Sequence, residues 1–322
     1  MSDHKPLRRV VGLALILTLS LVVSAPPLMA GGSSPQATVS TLVTIDAGTG
    51  GLTVAPDGTI YHSDFGSMLG GRGTGGHRVF RVTTDGEYEV LSKSIRGASG
   101  SEWGHDGALY QSSIGSNQVF RIAMDGTTSL FAGEGLLSPV GIVATPTGLD
   151  AEGGFLVANC GGGSIQRLSK DGASETWVKS DLLKCPNGLV TDGTDYVYAA
   201  NFIDGSVVQV DFDGNASVLA SIPGGANGHL FFHDQKLWVI ARAAHQIYTV
   251  DLAEGRRGEV ALFAGSGEKG GTDGPALEAS FCFPNDLGFS PDGKTLYVNE
   301  VADHSSNGQL LAPTRIRAIR MK

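Results

Sequence analysis

The chain has 322 residues, a formal net charge of −9 and 17% charged residues. No Lys/Arg cluster stands out, which excludes nucleic acid as an expected partner. Its 47 glycines and 13 prolines suit many short strands joined by tight turns, and long helical periodicity is absent throughout.

In chain order, the first feature is a leader. Lys5, Arg8 and Arg9 form a basic start, Val10 to Ala25 is nearly all apolar, and small residues follow through Met29, Ala30, Gly31 and Gly32. That order is a secretory signal over residues 1–30, with cleavage expected after Ala30. The apolar run is shorter than the roughly 20 residues of a membrane-spanning helix, and no second run of that length occurs. The expected product is a soluble monomer, periplasmic or secreted. Residues 31–37 are a short linker and 38–322 one domain.

A β-like segment, Thr38 to Ile45, comes next, and then a repeat marked by Asp-Gly dipeptides. Such a pair between alternating apolar runs is a strong hairpin signal, because the turn needs positive φ. The first unit runs from Gly51 through Asp57-Gly58, Arg78 to Val82 and Asp85-Gly86 to Leu91. The second carries Asp106-Gly107, Gln118 to Ile122 and Asp125-Gly126; the third has Gly141, Phe155 to Ala158, Ile165 to Leu168 and Asp171-Gly172. The fourth has Gly188, Tyr196 to Ala199, Val207 to Val210 and Asp213-Gly214. A looser fifth has His229, Lys236 to Ile240, Gln246 to Val250 and Glu254-Gly255. The sixth has Leu287, Asp292-Gly293, Thr295 to Val298 and Thr314 to Ile319, and stops after its third strand.

Four short strands, A to D, recur at roughly 40 to 58 residues, the signature of propeller blades. The expected fold is therefore all-β: a six-bladed β-propeller in which Thr38 to Ile45 supplies the missing fourth strand of the last blade. Closing the ring in this way removes an exposed sheet edge.

In such a ring the A–B and C–D turns lie at one end, so Asp57, Asp85, Asp106, Asp125, Asp171, Asp213 and Asp292 read as turn residues. The starts of A strands and the ends of B strands lie at the other. There the chain places Pro186-Asn187-Gly188, Ala226-Asn227-Gly228 and Pro284-Asn285-Asp286, with Asp64, Asn159, Asn201, Arg242 and Glu300 at B-strand ends. Amides and carboxylates converging on an axial mouth are hard-oxygen ligands that suit Ca²⁺ or Mg²⁺. The structural alternative is that Asn before Gly hydrogen-bonds its own backbone in a turn. Two glycine- and serine-rich insertions, Gly66 to Gly76 and Val301 to Pro313, also open here, as a lid or as plain loops. Cys160 and Cys185 fall on neighbouring blades at this end, where a disulfide is reasonable, leaving Cys282 as a free thiol.

The run Gly265 to Phe281 resembles an NHL inter-blade linker, and Pro284 to Tyr297 resembles a gluconolactonase-type blade start. The whole of 38–322 is similar to NHL-repeat, gluconolactonase/regucalcin, paraoxonase and strictosidine-synthase-like propellers, families that share one scaffold across unrelated tasks. The lactonase resemblance implies a divalent metal, Ca²⁺ first, held by Asn187, Asn227, Asn285 and Asp286. It also implies a first-blade Glu, where this chain has Thr49, Gly50 and Gly51; Glu102 is the available substitute. The implied activity is a metal-dependent lactonase or esterase with Asp286 as general base and His229 as proton shuttle. Arg242, Asn159 and Asn201 would hold the substrate. The NHL resemblance implies instead a non-catalytic platform for a peptide, glycan or protein, and the strictosidine-synthase-like one a lyase or condensing enzyme.

Overall fold

A computed structural model describes Met1 and residues 37–70, 75–150 and 152–322; apart from Met1, the expected leader lies outside them. Among the described residues, six antiparallel sheets each carry four strands in sequence order, the last augmented as described below. The innermost A strands are Thr49–Val54, Ala98–Trp103, Pro139–Ala144, Pro186–Thr191, Asn227–His233 and Asp286–Phe289. No helix among the described residues is long and apolar enough to cross a membrane.

The first strand, Thr38–Ile45, pairs antiparallel with Thr314–Arg320, from Thr38 against Arg320 to Ile45 against Thr314. It thus supplies the outer strand of the sixth blade. A short segment, Gly274–Pro275, caps its outer edge and shields the groups a free edge would expose. The turns follow local chemistry: Asp57, Asp106, Asp125 and Asp292 each accept the backbone N–H two residues on, at 2.9 to 3.2 Å. The glycines after them have φ between 69° and 91°, which a side chain would oppose.

The core lies between the blades. One buried apolar cluster sits at each of the six blade–blade junctions, such as Val143, Leu156 and Ile165 against Leu189, Val197 and Val208. Inner strands are buried on both faces and read as continuous apolar runs, whereas the outer D strands are mostly exposed or half-buried. A seventh cluster, Phe65, Cys282, Val301 and Leu311, lies under the two insertions. Their described parts are paired with each other: Leu69 N–H donates to Gln309 O at 2.8 Å, and Leu311 N–H to Ser67 O at 2.9 Å. They form a strap across blades six and one rather than two independent loops.

Candidate functional site

Six A strands can converge on the axis only if their first residues are small. In the register set by the B strands, the residues just before Leu52, Ser101, Ile142, Leu189, Leu230 and Leu287 form one ring. Four of them are Gly51, Gly100, Gly141 and Gly188. A Cβ at Gly51 would stand 2.0 Å from Ser99 O, and one at Gly141 would stand 2.5 Å from Asn187 O. The other two are His229 and Asp286. Their side chains, 6% and 5% exposed as residues, fill the axis that the glycines leave open.

His229 Nδ1 lies 3.4 Å from Asp286 Oδ2. That oxygen also accepts Leu52 N–H at 2.8 Å, while Oδ1 accepts Leu287 N–H at 2.8 Å. Burial raises the Asp286 pKa, opposed by His229 and the two backbone N–H groups. Nδ1 is thus the ring nitrogen that faces the carboxyl group.

Above this pair is a cavity of about 200 Å³. Its walls are Phe65, Leu69, Ile114, Val140, Phe202 and Leu311, with the Cys160–Cys185 disulfide joining blades three and four on one side. Thr49, Ser99, Asn187, His229 and Asn285 supply its polar surface, and no Asp, Glu, Lys or Arg among the described residues lines it. Asn187 Nδ2 donates to Asn227 O at 3.2 Å and Asn285 Nδ2 to Gly50 O at 2.8 Å. Because carbonyls accept only from the NH₂ end, both amides are fixed with Oδ1 free of any donor among the described residues. Below the pair, a second cavity of about 300 Å³ continues down the axis; it contains Glu102 and also touches His229 and Asp286. There, burial pushes the Glu102 carboxyl up to about 7.

The expected site residues therefore separate. Asn187, Asn285 and His229 meet at the mouth, with Asp286 directly beneath. Asn227 does not join them, for its strand is one residue out of step. Asn227 pairs with Ala241 in its blade as Pro186, not Asn187, pairs with Asn201. It is fully buried, with Nδ2 donating to Ser206 O and Oδ1 unpaired. Glu102 lies in the lower cavity and cannot replace a first-blade ligand at the mouth. Asn159 accepts Leu137 N–H and Asn201 accepts Lys184 N–H, each holding the loop that enters the neighbouring A strand. Asp64, on Gly48 N–H, and Glu300, on Cys282 N–H, do the same in their blades. All four are structural clamps, so the substrate role expected for Asn159 and Asn201 does not fit their geometry. Arg242 donates to Phe283 O at 2.8 Å and is outside the cavity lining; burial lowers its pKa to about 10. Cys282 is buried, and burial, reinforced by the Glu300 carboxylate, pushes its thiol up to about 11.

The residues present do not fit a Ca²⁺ or Mg²⁺ ion at the mouth. Such ions take carboxylates and several oxygens, and among the described residues the mouth offers only two neutral carboxamide oxygens, the Thr49 and Ser99 hydroxyls and one imidazole. Asp286 has both oxygens engaged by backbone N–H groups. No group of three or more His, Cys, Asp or Glu among the described residues could hold a metal. The apolar walls went unexpected from the sequence. Their signal is the residue directly after each B strand's polar end: Asp64-Phe65, Ser113-Ile114, Asn159-Cys160 and Asn201-Phe202.

Blade number, order and closure define a six-bladed β-propeller. No family model matches the sequence, and no curated protein matches it by sequence. Solved structures do match the fold. A gluconolactonase from Xanthomonas campestris is 16% identical with a TM-score of 0.64, covering 90% of this chain and 92% of that one. An auxiliary nutrient binding protein from Bacteroides ovatus is 14% identical with a TM-score of 0.68, covering 89% and 77%. A virginiamycin B lyase from Staphylococcus aureus, solved as a catalytically inactive variant with quinupristin, is 13% identical with a TM-score of 0.58, covering 89% and 99%.

Proposed function

We propose that this chain is an exported ligand-binding propeller whose axial mouth takes an uncharged small molecule bearing a hydrogen-bond donor. One observation carries the reading: an apolar-walled cavity, uncharged among the described residues, whose polar surface holds two unengaged amide oxygens, Asn187 Oδ1 and Asn285 Oδ1, beside the Thr49 and Ser99 hydroxyls and the His229 ring. A buried acceptor left unmatched is costly, so the floor selects donors, and walls without charge disfavour anions. The nutrient-binding neighbours support a small-molecule role, and the Cys160–Cys185 disulfide supports an oxidising compartment. Thermal-shift measurements with neutral alcohols and hydroxy-lactones test it. Stabilisation of the wild type, abolished in Asn187→Leu/Asn285→Leu, is expected; stabilisation by carboxylates or phosphates alone would overturn it.

A second reading is favoured by the His229–Asp286 pair. In it, His229 Nε2 takes a proton from a water attacking a lactone or ester, and Asp286 steadies the imidazolium. The gluconolactonase and lyase neighbours share that scaffold. Binding leads because one amide N–H of Asn187 and one of Asn285 are committed to backbone carbonyls, which leaves a single donor on each amide beside a wholly unengaged Oδ1. Turnover of a lactone and ester panel, lost in His229→Gln, would place hydrolysis first.

A further inference from the structure

One level below the axial ring, five blades carry Leu52, Ile142, Leu189, Leu230 and Leu287, whereas the second carries Ser101. At the next level those five carry Thr53, Val143, Val190, Phe231 and Gly288, and the second carries Glu102. The second blade thus departs from the others twice in succession, and both residues line the lower cavity. The fold needs no charge at this level, because five blades do without one. Glu102 Oε1 accepts Trp103 N–H at 2.7 Å, and among the described residues no cation pairs with the carboxyl group. An acid placed in an apolar channel without a counter-charge lowers stability, and burial holds its pKa at about 7. The level of leucine and isoleucine is buried, but Thr53, Glu102, Val190 and Phe231 are half-buried. The lower cavity is therefore reached from the end that carries the A–B turns, away from the mouth.

We propose that the lower axial cavity is a second ligand site, independent of the mouth, that takes an organic ammonium ion of single charge. The Glu102 carboxylate supplies the counter-charge. Among the described residues no Lys or Arg lines the cavity to repel a cation. Asp286 is already committed: its oxygens accept Leu52 N–H and Leu287 N–H, and Oδ2 faces His229 Nδ1. Thr53 Oγ1 and Ser101 Oγ share a hydrogen bond at 2.6 Å. One uncommitted carboxylate matches one positive charge and falls short of the oxygen set that Ca²⁺ or Mg²⁺ takes. The rest of the lining is mostly apolar and includes Trp103, Phe231 and Phe289, which suits the weakly hydrated body of an organic cation. A cavity of about 300 Å³ holds roughly ten waters' worth of volume, enough for a small amine or quaternary ammonium ion.

The test is calorimetry at pH 8 with choline and butylamine, each beside its neutral analogue, 3,3-dimethylbutanol and butanol. The proteins are wild type, Glu102→Gln, and the mouth variant Asn187→Leu/Asn285→Leu. At least one ammonium ion is expected to bind wild type and the mouth variant equally, and to lose roughly 10- to 100-fold in affinity in Glu102→Gln. Any affinity for the neutral analogues should be unchanged by Glu102→Gln. Three results overturn the inference: neither ammonium ion binds, ammonium binding survives intact in Glu102→Gln, or the mouth variant weakens it as much as Glu102→Gln does. Thermal stabilisation by Ca²⁺ and by neither ammonium ion, lost in Glu102→Gln, would also overturn it by assigning the carboxylate to a metal. None of these results bears on the mouth as a ligand site, whose own test is the loss of neutral-alcohol stabilisation in the mouth variant.

Discussion

His229 and Asp286 meet on the propeller axis, Nδ1 to Oδ2 at 3.4 Å, at the ring level where the other four blades carry glycine. The pair separates the mouth cavity from the lower axial cavity, and His229 touches both. Replacing Asp286 tests how much of the closure depends on it. Asp286→Ala leaves Leu52 N–H and Leu287 N–H without their acceptor and should cost about 1–3 kcal/mol for each buried donor that water does not reach. Asp286→Asn, which keeps an acceptor for one of them, should lose less. Urea midpoints of the three proteins rank the losses.

A second buried histidine gives the fold an acid limit. His62 is fully buried in the first blade, and burial depresses its pKa to about 4. The unfolded chain binds the proton first, so stability is present above about 6.5 and lost as pH falls through 4. The loss amounts to on the order of 3 kcal/mol. His62→Gln, which copies Gln111 at the same register of the second blade, should flatten that part of the slope. An unchanged difference between urea midpoints at pH 7 and pH 4 would count against it.

Glu102 acts with the opposite sign. Its folded pKa is raised by burial to about 7, so its contribution is present below the unfolded value and lost as pH rises through 7. Glu102→Gln should therefore be more stable than wild type at pH 8, by up to about 3 kcal/mol, and show no gain at pH 4. Thermal melts at the two pH values decide.

Among the described residues no carboxylate lines the mouth, so a chelator should leave both the thermal midpoint and alcohol binding unchanged. A midpoint that falls on dialysis against EDTA and returns with Ca²⁺ would restore the metal reading. That result would require Asp286 to exchange a backbone N–H for the ion.

The Cys160–Cys185 disulfide closes a loop of sequence separation 25 and forms one wall of the mouth. Replacing both cysteines by serine should lower stability by about 3 kcal/mol. Ligand affinity should fall as well, because the wall is cut from its anchor. Stability lost with affinity intact would confine the bridge to a structural role.

The blades were legible because their signals are local. Asp57-Gly58 or Asp292-Gly293 fixes its own turn, and the spare strand Thr38–Ile45 has one unfilled place to go. The site was legible only where a residue's role did not depend on pairing elsewhere. Asn187 and Asn227 carry the same Asn-Gly pair, but register comes from the partner strand, which sets Asn227 one step back and buries it. Asn159 and Asn201 sit at the expected end of the ring, yet the loops beside them take their amides, and loop path is not written in spacing. The glycine content of Gly66 to Gly76 suggested looseness, whereas Met68 and Leu69 within it pair with the other insertion.

Joining Thr38 to Arg320 and Ile45 to Thr314 also imposes an order of events. The strand made first must wait, unpaired, until the last one exists, so no shortened chain can be a closed circle. Such a chain stays open for as long as it is being made. Once shut, the strands Thr38–Ile45 and Thr314–Arg320 hold one another: tugging on either pulls against the full ladder between them.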